Sequence, residues 1–182
     1  QLWVEPTTFK TFAAVVSYCR ERGIPQRVIG RGSNLLVRDG GIRGAVIHPS
    51  GGDFSNVVVD GDVITAGAGA RFKKVASVAA AHNLTGMEWM EGIPGNVGGG
   101  LRMNAGAMGT ETFDQVISVT FLDDDGEIRE RTSDEITAHY RNVPELRRNY
   151  ALEAKFQAKL SDADTIRSVT EESRNHRRST QP

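Results

Sequence analysis

Apolar residues fall at Phe9, Phe12, Val16 and Cys19, a three-to-four spacing that predicts a helix from a Thr7 or Thr8 cap to about Arg22, closed by Gly23 and Pro25. The pattern then shortens. Runs at Arg27–Ile29, Leu35–Val37 and Gly44–Ile47 read as strands, and Val57–Asp60 with Val63–Ala66 reads as a hairpin turning at Asp60-Gly61. Helical spacing returns at Phe72, Val75, Ala76 and Ala79, predicting a second helix from Arg71 to His82. Val97 to Ala105 reads as a short helical turn after a glycine-rich entry.

Beyond it, Val116–Leu122 and Glu127–Arg131 pair across an Asp125-Gly126 turn, and Thr132 with Glu135 forms a capping box for a short helix leading into Tyr140. Leu152, Ala154, Phe156, Ala158 and Leu160 alternate, which predicts one strand with a single buried face. Ser161 opens a polar helix from about Asp162 to Arg177, in which Ile166 and Val169 are almost the only apolar anchors. This pattern describes two α+β lobes around a glycine-rich centre, with no repeat of solenoid period.

That centre runs from Gly92 to Gly109. Gly92-Ile93-Pro94-Gly95 reads as a rigid turn, because proline presets one dihedral and glycine admits the positive φ beside it. Gly98, Gly99 and Gly100 remove side chains from one short run, so a ligand could approach the backbone, and the helix following them would offer its N-terminus to a phosphate. A long irregular glycine loop without a ligand is the competing reading. Gly30-Arg31-Gly32-Ser33-Asn34 is a second glycine loop, placed between two apolar runs. It is not a Rossmann turn, since Leu35 stands where the third glycine is required, and Gly67-Ala68-Gly69 fails in the same way at Phe72. There is no Gly-Lys-Ser/Thr, so a P-loop is excluded.

The net charge of −1 gives no field that would gather nucleic acid or anionic lipid. A single cysteine, Cys19, allows no internal disulfide and agrees with a reducing compartment; it falls on the apolar face of the first helix and reads as core. No run approaches eighteen apolar residues and no leader pattern opens the chain, so the expectation is a cytoplasmic globular chain without a membrane span. His48, His82, His139 and His176 lack ligand spacing, and Asp123-Asp124-Asp125 precedes Gly126 as a solvated turn, so no metal site is expected. The opening at Gln1 and the ending at Thr180-Gln181-Pro182 both read as cuts through continuing elements, so a fragment is expected.

Four motifs fall in one order: Gly-Ser-Asn-Leu-Leu-Val at 32–37, Gly-Ile-Pro-Gly-x-Val-Gly-Gly at 92–99, Met-Asn-Ala-Gly-Ala at 103–107, and Tyr140-Arg141. Together they resemble the UDP-N-acetylenolpyruvoylglucosamine reductase family, over nearly the whole chain. The resemblance implies an α+β, two-lobed FAD-binding domain of the vanillyl-alcohol-oxidase-like (PCMH-type) superfold. Residues 1–110 would form the first lobe with the central glycine segment, and 111–182 the second lobe ending in a linker helix. A C-terminal substrate lobe would be missing from this chain. The implied reaction uses NADPH and FAD to reduce the enolpyruvyl group of a UDP-sugar, giving UDP-N-acetylmuramate for peptidoglycan precursors. Some flavoproteins of this superfold attach FAD through a histidine in the phosphate loop; none lies between Val28 and Val37, so FAD would be held noncovalently.

By the same resemblance, Gly30, Arg31, Gly32, Ser33, Asn34 and Leu35 meet the FAD pyrophosphate, and Gly92, Ile93, Pro94, Gly95, Val97, Gly98 and Gly99 approach the cofactor. For Arg31 the residues themselves favour a solvated arginine, with added charge toward the phosphate as the other reading. Gly106 and Ala107 complete the cofactor set with Asn104, which either reaches the flavin's polar edge or stabilises its own turn. Arg141 is the catalytic candidate, stabilising the enol form of the substrate, with a salt-bridged structural arginine as the alternative. Tyr140 either packs on the ligand or fills core. Two departures stand out: Met108 occupies a position often held by tyrosine, and Asn142 to Asn149 intervenes before the next strand. The family's proton-donating serine, in a Gly-Ser-x-Phe-Lys-Asn-Pro motif, and its assisting glutamate are not in this sequence. Two other functions remain open: a noncatalytic FAD-binding module, and an oxidase or dehydrogenase of the same superfold with a different substrate.

Overall fold

The computed structural model describes residues 2–180, apart from the side chains of Arg177 and Thr180. Gln1, Gln181 and Pro182, on which the reading of cut ends partly rests, lie outside the described residues. In chain order the strands are β1 (Leu2–Val4), β2 (Gln26–Val28), β3 (Ala45–Ile47), β4 (Val57–Asp60), β5 (Val63–Gly67), β6 (Leu84–Thr85), β7 (Gly106–Ala107), β8 (Thr110–Glu111), β9 (Val116–Leu122), β10 (Ile128–Thr132), β11 (Tyr150–Gln157) and β12 (Lys159–Leu160). The helices are α1 (Phe9–Glu21), α2 (Phe72–Ala81), α3 (Val97–Met103), α4 (Glu145–Arg148) and α5 (Ala163–Thr180).

Two sheets organise the chain. A small parallel sheet has the order β1-β3-β2, and a five-stranded antiparallel sheet has the order β10-β9-β11-β5-β4. The β4–β5 hairpin closes with Asp60 opposite Val63, and Gly61 takes φ +59°, as a two-residue turn matched to strand twist requires. Strand β11 lies between β9 and β5, so the larger sheet draws strands from both sides of residue 110.

Helix α1 bridges the sheets. Thr8 caps it by accepting from the Thr11 amide, a contact worth about 1 kcal/mol. Its buried Phe12 and Val16 pack with Ile47 of the small sheet, with Leu122 and Leu152 of the large one, and with Phe54 and Ala68. Cys19 is buried on the same helix. The main core lies under α2, whose Phe72, Val75, Ala76 and Ala79 are buried with Ile64, Ala154 and Phe156 of the sheet and with Trp89 and Met90. Helix α5, whose Ile166 is buried, is tied to the turn containing Glu91 by an Arg174–Glu91 ion pair of 2.8 Å.

Two expectations fail. Leu35–Val37 is not a strand: the small sheet is complete without it, and Leu36 is 96% exposed. The alternation from Leu152 also does not reach Leu160 as one strand, because β11 ends at Gln157 and β12 turns away to pair with β6, leaving Leu160 exposed. The Asn142–Asn149 stretch adds α4, with Val143 and Leu146 buried in the main core. No described helix is long and apolar enough to cross a membrane.

Candidate functional site

The two glycine-rich segments meet. The Ser33 hydroxyl donates to the Pro94 carbonyl at 3.2 Å, and the Arg31 amide donates to Asn96 Oδ1 at 3.0 Å. Within the first loop the Leu35 amide returns to the Gly32 carbonyl, and Gly32 takes φ +74°, a conformation glycine adopts without a Cβ clash. Arg31, Ser33, Asn34 and the apolar Leu35-Leu36-Val37 run are all exposed, so polar donors and an apolar edge lie side by side.

The second segment behaves differently from its expected role as a bare cradle. A Cβ on Gly98 would come within 2.9 Å of the Ala68 Cβ, and one on Gly100 within 2.0 Å of the Phe72 ring. These two glycines let α3 press against α2 and the loop before it. Only the middle one, Gly99, faces open space. The helix N-terminus is also occupied, because the Val97 amide donates to Ala70 and the Gly98 amide to Ala68. The expectation that these amides wait for a phosphate is corrected for Val97, Gly98 and Gly100, whose amides are taken by the carbonyls of Ala70, Ala68 and Asn96. Gly95, with φ +134°, completes the turn after Pro94.

Asn104 ends α3 in the left-handed region, at φ +42°. Its Nδ2 donates to Glu111 at 2.7 Å and its Oδ1 accepts from the Phe113 amide at 3.0 Å, so both ends of this amide hold the turn into β8. Gly106 is required there, since a Cβ would meet the Thr110 carbonyl at 2.4 Å. Ala107 pairs with Thr110 across a tight turn whose tip is exposed Met108.

Tyr140 and Arg141 form another tight turn. His139 and Asn142 exchange two backbone hydrogen bonds across it, and Arg141 takes φ +54°, unusual for a residue with a side chain. Tyr140 is 79% exposed and therefore does not fill core. Among the described residues the Arg141 guanidinium makes no ion pair, which removes the salt-bridged alternative. Among the described residues no hydrogen bond or ion pair joins this turn directly to the glycine segments. The link is indirect: Arg102 of α3 donates to the carbonyls of Leu146 and Arg147 in α4, just beyond the turn.

Sequence reasoning passed over Asn96. It is buried, and its side chain reaches both the Gly69 carbonyl and the Arg31 amide. An asparagine before a helix reads as a cap, which is why its spacing gave no separate signal.

Most groups with shifted acidity lie on or beside the large sheet; Asp162, lowered by its hydrogen bonds to Thr165, stands apart before α5. The Arg129 guanidinium beside Asp123 holds its carboxyl below the usual range, helped by the Glu127 and Asp125 amides. Lys155 and Ser118 lower Glu130, and burial raises Glu153. No group of histidine, cysteine and carboxylate side chains among the described residues is arranged to hold a metal ion.

The FAD binding domain family matches residues 1–132. The chain belongs to that family. It is also 36% identical, over its whole length, to a UDP-N-acetylenolpyruvoylglucosamine reductase of Clostridium novyi, of which it covers 59%. The crystal structure of UDP-N-acetylenolpyruvylglucosamine reductase from Thermus caldophilus superposes on 99% of the chain with a TM-score of 0.83 at 29% identity, and 62% of that protein is covered. Phl p 4, a grass pollen allergen with glucose dehydrogenase activity, matches 88% of the chain with a TM-score of 0.69 at 16% identity, a likeness of fold alone. The fold is accordingly the α+β, two-lobed FAD-binding fold of the vanillyl-alcohol-oxidase-like type. The chain spans about three fifths of the length of the reductases it matches.

Proposed function

We propose that this chain is the FAD-binding portion of a cytoplasmic reductase that converts the enolpyruvyl ether of UDP-N-acetylglucosamine to UDP-N-acetylmuramate with NADPH. The observation that carries the reading is the similarity of this whole chain to about three fifths of a UDP-N-acetylenolpyruvoylglucosamine reductase, joined to an exposed place at which the Gly30–Asn34 loop meets Pro94 and Asn96. FAD fits this place: polar groups of Arg31, Ser33 and Asn34, the open face at Gly99 and the exposed Leu35–Val37 edge supply donors and an apolar border together. When bound, FAD would accept hydride from NADPH and pass it to the enolpyruvyl carbon.

In this reading residues 30–35 hold the pyrophosphate noncovalently. Gly92, Ile93, Pro94, Gly95, Val97, Gly98 and Gly99 shape the wall beside the cofactor, with Gly106 and Ala107 at the following turn. Asn104 acts through that turn, since its amide is engaged there. The free guanidinium of Arg141 would stay charged through the reaction and offer paired donors to the substrate carboxylate and its enol form, while Tyr140 lies against the substrate. The substrate lobe and the general acid would lie in the two fifths of the relatives' length that this chain does not span. A missing general acid alone costs about 10²–10⁴ in rate, so this chain is expected to bind FAD without full turnover.

The test is reconstitution with FAD. Bound flavin bands near about 375 and about 450 nm, with the second bleached by NADPH and restored by the enolpyruvyl sugar once a substrate lobe is present, support the reading. A chain that takes up no FAD overturns it. In the protein carrying both lobes, Arg141→Ala should lower kcat by about 10²–10³ with little change in stability.

A further inference from the structure

We infer that Asn96 is a positioning residue that locks the Gly30–Asn34 loop against α3, so that the two glycine segments form one rigid cradle. The inference rests on reading those segments as the FAD site. Asparagine at a helix N-cap ordinarily turns its side chain onto an amide two or three residues ahead. Asn96 makes no such bond. Its Nδ2 instead donates to the Gly69 carbonyl, in the loop before α2, and its Oδ1 accepts from the Arg31 amide at 3.0 Å. One buried amide group thus ties three segments that are far apart in the chain.

The surroundings hold Asn96 in place. Its carbonyl accepts from the Gly100 amide at 3.0 Å, Asn96 bridges Arg71, and the neighbouring Val97 amide donates to Ala70 at 2.9 Å. Gly30 permits the approach, since a Cβ there would already lie 3.1 Å from Oδ1. The Ser33–Pro94 bond is exposed, so water competes with it; the Asn96–Arg31 bond is part-buried and the Asn96–Gly69 bond buried. The position needs a donor toward Gly69 and an acceptor toward Arg31 on one short, uncharged group. Aspartate supplies only the acceptor until it is protonated, and alanine supplies neither.

The experiment measures two things on the natural chain, Asn96→Ala and Asn96→Asp: hydrogen exchange of the Arg31 amide without ligand, and FAD affinity by flavin fluorescence. The Arg31 amide should be protected in the natural chain and exchange at least about tenfold faster in Asn96→Ala. FAD should bind that variant at least about tenfold more weakly. In Asn96→Asp both the protection factor and the affinity should be reduced at about pH 7 and recover as the pH falls toward the carboxyl's protonation, at or above the ordinary aspartate value of about 3.9 because burial disfavours the charged form, while the natural chain changes little. A general loss of stability would not produce that recovery at one amide. An Arg31 amide that is unprotected in the natural chain, or equally protected in Asn96→Ala, overturns the lock whatever FAD does. Lost protection with FAD affinity within about twofold of the natural chain overturns the positioning role. A natural chain that binds no FAD overturns the reading of the site, and Arg31 exchange still decides the lock. If Asn96→Ala does not fold, Asn96→Asp carries both readouts.

Discussion

In the Gly30–Val37 loop the polar and apolar side chains face outward and Gly32 has open space around it, whereas in the Gly92–Gly109 segment Gly98 and Gly100 are pressed against Ala68 and Phe72. The two regions have similar composition and different duties. The loop is an exposed edge shaped by backbone conformation, and the segment is a packing joint in which the missing side chains make room for protein. Glycine richness therefore accompanies open space at Gly99 and close helix packing one residue to either side.

Substitution by alanine sharpens this contrast. Gly100→Ala should cost about 3 kcal/mol, because the added methyl enters the ring of fully buried Phe72, which also packs on Trp89; chemical denaturation measures it. Gly32→Ala should cost about 1 kcal/mol, a backbone effect alone, since φ is +74° and nothing lies within 4 Å of the new methyl. Gly99→Ala should change stability by less than about 0.5 kcal/mol while weakening FAD binding, because its methyl enters only open space. Equal losses of stability at Gly99 and Gly100 would erase the distinction, and unchanged FAD binding in Gly99→Ala would leave Gly99 without a role at the cleft.

The elements most legible from sequence are those whose signals are local. Helix α1, helix α2, the β4–β5 hairpin and the Thr132–Glu135 capping box follow from apolar spacing, capping residues and turn glycines within a few positions. Leu35–Val37 misled for a physical reason: three apolar residues in a row read as a buried strand, but a strand needs a sheet edge to pair with, and this run pairs with neither edge of β1-β3-β2, the Leu35 amide turning back to Gly32 instead. The divided work of Gly98, Gly99 and Gly100 was equally hidden, because it depends on where Ala68 and Phe72 arrive in space. Asn104 and Asn96 exchange their expected weight on the same ground. The first is absorbed by its turn, and the second, unremarkable as a cap, reaches across segments.

The place of β11 has a consequence for how the chain comes off the ribosome. Its partner β5 is made about ninety residues earlier, and until residue 157 emerges the β4–β5 hairpin has an unpaired inner edge. At ordinary synthesis rates that wait lasts about five to twenty seconds, during which Ile64 and Ala66 are paired with β4 on one side only. The larger sheet therefore closes late and from the far end. Arrest of synthesis just before Tyr150 should leave a protease-sensitive chain, and release past Gln157 should make it resistant.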